Sequence, residues 1–135
     1  MSKVIRRASG VIAYQFADEG QIEVVLVKKT NGRGWTFPKG GVELFQSDAT
    51  NATKEAYEEA GIIGAIESKL GFYRYTKDDV KQHVVLFQMR IAMLLDDYPE
   101  SEIRKRQVCL YDEAVELLDK DNRKLLDELI ENLQQ

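Results

Sequence analysis

Glu55, Glu58 and Glu59 crowd three carboxylates into "KEAYEEAG", close behind the glycine pair Gly40–Gly41. On a helix, positions i, i+3 and i+4 share one face, so these side chains converge. Like charges so placed repel by roughly 0.2–0.5 kcal/mol per pair. A hard divalent cation, Mg²⁺ or Mn²⁺, offsets that repulsion and prefers oxygen ligands. In "PKGGVE", two glycines permit a tight backbone and close approach, and a main-chain carbonyl there is a further hard oxygen donor. Lys39 offers a point charge for a phosphate. The same stretches also read as a solvated acidic helix end, with Lys54 beside it, and a plain turn.

These residues need elements to hold them. Residues 48–60 read as a helix, with Ser47 or Asp48 as its cap and Gly61 as its stop. Ala49, Ala52, Ala56 and Ala60 form a stripe of small residues about a quarter turn from the glutamates. That stripe lets the helix sit close to a sheet and leaves the acidic face at the edge of the contact, toward a cleft. Residues 4–16 and 22–29 read as strands joined by a turn at "DEG", and "IEVVLVKK" has the apolar run of a central strand. "TNGRG" is a loop, and "WTFP" a short extended piece. Residues 65–76 read as extended. "HVVLFQMRIAMLL" at 83–95 reads as a long strand, with helix open as the alternative. "DEAVELLDK" and "NRKLLDELIENL" place Leu117, Leu118, Leu125, Leu126, Leu129 and Ile130 at helical spacing. The pattern predicts an α/β fold, a mixed β-sheet with helices on both faces.

The chain has 135 residues and a net charge of −4, with 44% apolar and 31% charged residues. That fits a single domain, 1–135, with a substantial core. The acidic balance argues against a nucleic acid polymer as partner. No run approaches the roughly 18–20 apolar residues that span a bilayer, so no membrane association is expected and the default location is cytoplasmic. The single cysteine, Cys109, excludes an intrachain disulfide and a cysteine-based zinc site, and reads as a small buried hydrophobe. Oligomeric state is open, a homodimer included.

From Gly40 to Ile62 the chain resembles the Nudix box, Gly-x5-Glu-x7-Arg-Glu-U-x-Glu-Glu-x-Gly-U, where U is a bulky apolar residue. Gly40 is followed by "GVELF", Gln46, "SDATNAT", then Lys54, Glu55, Ala56, Tyr57, Glu58, Glu59, Ala60, Gly61 and Ile62, with no gap. The resemblance implies a Nudix-type α/β/α sandwich over the whole chain. It implies a hydrolase that cleaves a phosphoanhydride (pyrophosphate) bond in a small molecule, using Mg²⁺ or Mn²⁺. Carried over by position, Glu55, Glu58 and Glu59 bind metal with the Gly40 carbonyl, and Glu55 is a candidate base for the attacking water. Two positions depart: Gln46 stands for a glutamate and Lys54 for an arginine, both in the layer that supports the acidic cluster. Slower hydrolysis is one expectation, and a binding-only module that senses a phosphorylated ligand is the other.

"WTFPKGGVE" and "RKRQVCLYDEAVELL" resemble the branch containing diadenosine polyphosphate hydrolases and diphosphoinositol polyphosphate phosphohydrolases. The tryptophan usual after the basic stretch is absent; Val108 and Cys109 occupy that region. Lys39, Lys81, His83, Arg104 and Arg106 suit a substrate with many phosphates. Trp35, Tyr73 and Tyr75 read either as purine-stacking groups or as core. Asp78, Asp79, Asp96, Asp97 and Glu102 are further acidic groups, none singled out.

Overall fold

The computed structural model describes residues 4–135. A seven-stranded mixed sheet forms its centre. Strands β1 (Ile5–Phe16) and β2 (Ile22–Lys28) are antiparallel and are joined through a 3-10 turn at Asp18–Gly20. Two short strands follow, β3 (Trp35–Thr36) on β2 and β4 (Lys39–Gly41) on β1. Helix α1 (Asp48–Ala60) leads directly into β5 (Ile62–Lys77), which pairs antiparallel with β6 (Val80–Leu94). β6 runs parallel to β1, from Ile5 opposite Lys81 to Tyr14 opposite Arg90. β7 (Arg106–Leu110) pairs with β2, and α2 (Tyr111–Leu117) and α3 (Lys120–Leu133) complete the chain.

Strand alternation sorts the core into two layers. Val11, Ala13, Val25 and Val27 face α1, where Ala52, Ala56 and Ala60 are fully buried. Ile12, Tyr14, Val24 and Leu26 face the other helices, where Leu118, Leu125, Leu126 and Leu129 close the second layer. Helices on both sides explain why β2 is apolar at consecutive positions. Residues 80–94 form a strand and not a helix because they are sandwiched in the same way, Val84 and Leu86 in one layer and Met89 in the other. Asp78 and Asp79 make the β5–β6 hairpin turn, both with positive φ, 51° and 64°. Aspartate tolerates that backbone, and the assignment accounts for two of the unplaced acidic residues.

The ends of α1 follow local rules. Ser47 caps it by accepting a hydrogen bond from Thr50 N at 3.1 Å, while Asp48 pairs with Arg7 at 2.6 Å. Gly61 ends it with φ +65°, and a Cβ there would also strike the Tyr98 ring. The glycine pair departs from expectation. Gly40 and Gly41 form no turn; they are the last residues of β4, and neither has a positive φ among the described residues.

Gly10 fixes the corner that precedes β4. Val11 N donates to the Pro38 carbonyl at 3.1 Å, and a methyl group on Gly10 would lie 1.9 Å from that oxygen. Gly10→Ala is therefore expected to lower the unfolding free energy by about 2 kcal/mol or more, the scale of a steric insertion in a packed core. A denaturant midpoint equal to wild type's would reject the close contact.

Candidate active site

α1 meets β4 along one face, through residues spaced four apart. Asn51 Nδ2 donates to the Gly40 carbonyl at 2.9 Å. The Glu55 carboxyl lies over Gly40, where an added Cβ would be 2.3 Å from its carboxyl carbon. Glu59 Oε1 accepts from Lys39 N at 3.3 Å. Gly40 is thus needed because the carboxylate of Glu55 occupies the space of a side chain, and not for a bend.

The acidic face is partly sunk in protein. Burial chiefly raises the pKa of Glu59, to about 7, with Glu55 adding to the rise and Arg104 opposing it. Glu55 is raised as well, first by burial and then by Glu58, while Lys54 opposes. The loop after β6 supplies a group that spacing did not flag, Glu100. Its N donates to the Glu58 carbonyl at 3.0 Å, and its negative charge raises both Glu55 and Glu59. Arg104 is the nearest fixed cation. It donates to Glu100 at 3.1 Å and to the Lys28 carbonyl at 3.1 Å, and stands 3.9 Å from Glu59.

Glu59, Gly40, Lys39 and Arg104 line a cleft of about 800 Å³. Its far wall carries Tyr73, Tyr75 and Asn122. Of the three aromatics considered for stacking, Tyr73 is buried and Trp35 packs against the core with Lys28 over its ring. Tyr75 is exposed to the cleft, with Lys39 Nζ 5.7 Å from its ring centroid. Burial lowers the Lys39 pKa, and Glu59 partly restores it.

Three of the five basic groups read from sequence stand away from this cleft. Gln82 lines it, so strand alternation turns its neighbours Lys81 and His83 to the opposite face. There His83 Nδ1 accepts from Arg74 Nε at 3.0 Å and stacks on Phe72. Arg106 donates to the Ala60 and Leu95 carbonyls, both at 2.7 Å, and so ties the end of α1 to the loop after β6. Gln46 and Lys54 both serve Glu43: Gln46 Oε1 accepts from Glu43 N at 3.1 Å, and Lys54 lies 3.8 Å from its carboxylate. They brace the loop before α1, and Lys54 reaches the cluster only through its charge on Glu55.

The donor chemistry of the Glu55, Glu58, Glu59 and Glu100 carboxylates suits a hard divalent cation. Among the described residues no three His, Cys, Asp or Glu side chains are grouped closely enough to hold a metal ion as they stand. Of the groups missed from sequence, Asn51 was legible, since it precedes Glu55 by one helical turn. Glu100 was not, because it returns to the helix from a distant loop.

An α/β/α sandwich with an acidic helix packed on a glycine strand, beside a polar cleft of mixed charge, defines a recognisable class. The family model for the NUDIX domain matches residues 6–129, and the chain belongs to the Nudix family. Nudix hydrolase 21, chloroplastic, of Arabidopsis thaliana is 33% identical over 83% of this chain and 59% of its own length. Diphosphoinositol polyphosphate phosphohydrolase 3-alpha of Mus musculus is 31% identical over 76% of this chain and 64% of its own length. The chain thus spans about three fifths of the curated relatives it matches. The structure of C. elegans Ap4A hydrolase has a TM-score of 0.79 at 22% identity, covering 96% of this chain and 99% of that one. The NUDIX domain of Shewanella oneidensis NrtR, complexed with ADP ribose, has a TM-score of 0.75 at 14% identity over 98% of this chain and 90% of that one. At these identities the structural likeness is one of fold. Among the described residues no helix is long and apolar enough to cross a membrane.

The raised Glu59 pKa has a stability consequence in metal-free protein. The folded carboxyl keeps its proton up to about pH 7, against an ordinary value of 4.5. Between those values the native state binds the extra proton, so stability falls as pH rises from 4.5 to 7 and stays lower above. The span corresponds to roughly 3 kcal/mol. With chelator present, Glu59→Gln is expected to be more stable than wild type at pH 8 and nearly equal at pH 4.5. Chemical denaturation across pH measures this; a pH-independent difference would contradict burial as the cause.

Proposed function

We propose that the chain is a metal-dependent hydrolase that cleaves a phosphoanhydride bond in a small, polyphosphorylated molecule. A dinucleoside polyphosphate or a diphosphoinositol polyphosphate is the substrate class favoured. The observation that carries this reading is the placement of Glu55 against Gly40 and of Glu59 against Lys39 N, at the edge of the cleft that Lys39 and Arg104 line. The named relatives of that branch add support to the substrate class.

In this reading Glu55, Glu58 and Glu59 would hold Mg²⁺ or Mn²⁺, with Glu100 as a further acidic oxygen; the Gly40 carbonyl, which accepts from Ser9 N and Asn51 Nδ2, would join them by giving up one of those bonds. When bound, the ion offsets phosphate charge and lowers the pKa of water. Lys39 and Arg104 orient the phosphates, Arg104 from a fixed position because Glu100 and the Lys28 carbonyl hold its guanidinium. The attacking water adds to phosphorus in line with the bridging oxygen, which leaves with the second phosphate. Glu55 would accept the proton of that water. The low-dielectric wall strengthens each of these charges.

A binding-only reading has one observation in its favour. Gln46 and Lys54 contact Glu43, so neither side chain hydrogen-bonds the metal-site carboxylates. One experiment separates the two. Purified protein with Mg²⁺ or Mn²⁺ is given diadenosine polyphosphates, diphosphoinositol phosphates and nucleoside triphosphates, and the released products are quantified. Turnover is expected, reduced at least about a hundredfold in Glu58→Gln and in Glu59→Gln. Equal rates in all three proteins would reject the site, and ligand binding with no product would favour the sensor. Arg104→Gln is expected to raise KM about tenfold, the scale of one charge-assisted hydrogen bond; an unchanged KM would remove Arg104 from the phosphate site.

A further inference from the structure

Asn51 is a polar residue in a place that asks for an apolar one. It is 0% exposed, and its neighbour on the helix, Ala52, is equally buried. Its Nδ2 donates twice, to the Gly40 carbonyl at 2.9 Å and to Ser9 Oγ at 3.0 Å. Ser9 Oγ in turn donates to the Asp48 carbonyl at 2.7 Å. Ser9 and Gly40 are directly opposite in the β1–β4 pairing, so one amide joins β1, β4 and the first turns of α1. Yet Asn51 Oδ1 has no partner. A buried unpaired acceptor costs free energy, and a well-packed apolar side chain would avoid it. The structural return on that cost is a fixed donor on Gly40.

We infer that Asn51 is a positioning residue for the divalent-cation site: its amide ties α1 to the Gly40 carbonyl and so sets the height of the Glu55–Glu59 face over β4. The inference rests on the metal-site reading above. Asn51, Glu55 and Glu59 stand four residues apart and meet β4 in turn, at the Gly40 carbonyl, over Gly40, and at Lys39 N. A carbonyl oxygen has two lone pairs; on Gly40 the β1–β4 ladder takes one through Ser9 N and Asn51 takes the other, so the amide ties α1 to that ladder. Without it, the helix loses its hydrogen bond to β4 one turn before Glu55, and the Glu55–Glu59 face loses a restraint on its height over the strand. Groups that position the ligands of a metal are commonly worth 10–100-fold in affinity.

The test is Mn²⁺ affinity, read by electron paramagnetic resonance of the free aquo ion, in wild type, Asn51→Leu, Asn51→Ala and Tyr14→Phe. Leu fills the volume without donating, and Ala removes both volume and donor. Tyr14→Phe deletes a hydroxyl bond to Glu67, on the other side of the sheet, and serves as a control for lost stability alone. Circular dichroism fixes a temperature at which every protein is folded. Both Asn51 variants are expected to bind Mn²⁺ about tenfold more weakly, the Leu variant even where its chelated form is as stable as wild type. Tyr14→Phe is expected to keep wild-type affinity within about twofold. Wild-type Mn²⁺ affinity in Asn51→Leu and Asn51→Ala would overturn the positioning role while leaving the metal site intact. No Mn²⁺ binding by wild type would overturn both.

Discussion

The approach of α1 to β4 is the constraint on which the rest depends. The helix lies near enough to the strand that Gly40 has no room for a side chain, because the Glu55 carboxyl is there. Three features make the approach feasible. Ala52, Ala56 and Ala60 present a flat surface to the sheet, fully buried. Gly10 lets the Pro38 carbonyl come down onto β1. Gly61 turns the chain out of the helix in a left-handed conformation and directly into β5. Larger residues at any of these places push the helix away from the strand and the carboxylates away from the Gly40 carbonyl.

That approach has an electrostatic cost. Glu59 is nearly inaccessible, and its proton affinity is raised accordingly. The protein holds one guanidinium near it, that of Arg104, at 3.9 Å, and that group is shared with Glu100. Local stability is thus given up in the region proposed for chemistry, a common arrangement where charged groups must be kept short of partners. The stability is recovered in the two layers of apolar side chains on either side of the sheet, which cover the middle of β1 and β2 on both faces.

The remaining groups divide by the face of the sheet they occupy. Lys39, Tyr75 and Gln82 stand on the cleft side with Arg104. His83 and Arg74 stand on the other side, where they satisfy one another. Arg106 closes the end of α1 by donating to two carbonyls, which makes it part of the scaffold. A basic residue near the site in sequence is therefore not a basic residue in the cleft; strand parity decides.

The sequence by itself determined what depends on neighbours along the chain. The helical spacing of Glu55, Glu58 and Glu59, the cap at Ser47, the stop at Gly61 and the apolar faces of α1 and α3 all follow from helical periodicity and local hydrogen bonding. The mixed α/β architecture was legible for the same reason, since each element carries its own burial pattern. Tertiary structure alone decided that Gly40 and Gly41 are strand and not turn, that Lys81 and His83 face away from the cleft, and that Gln46 and Lys54 brace Glu43. It also decided that Glu100 joins the acidic cluster. Each of these depends on which distant segment lies alongside, and on one residue of register in a sheet whose side chains alternate between faces.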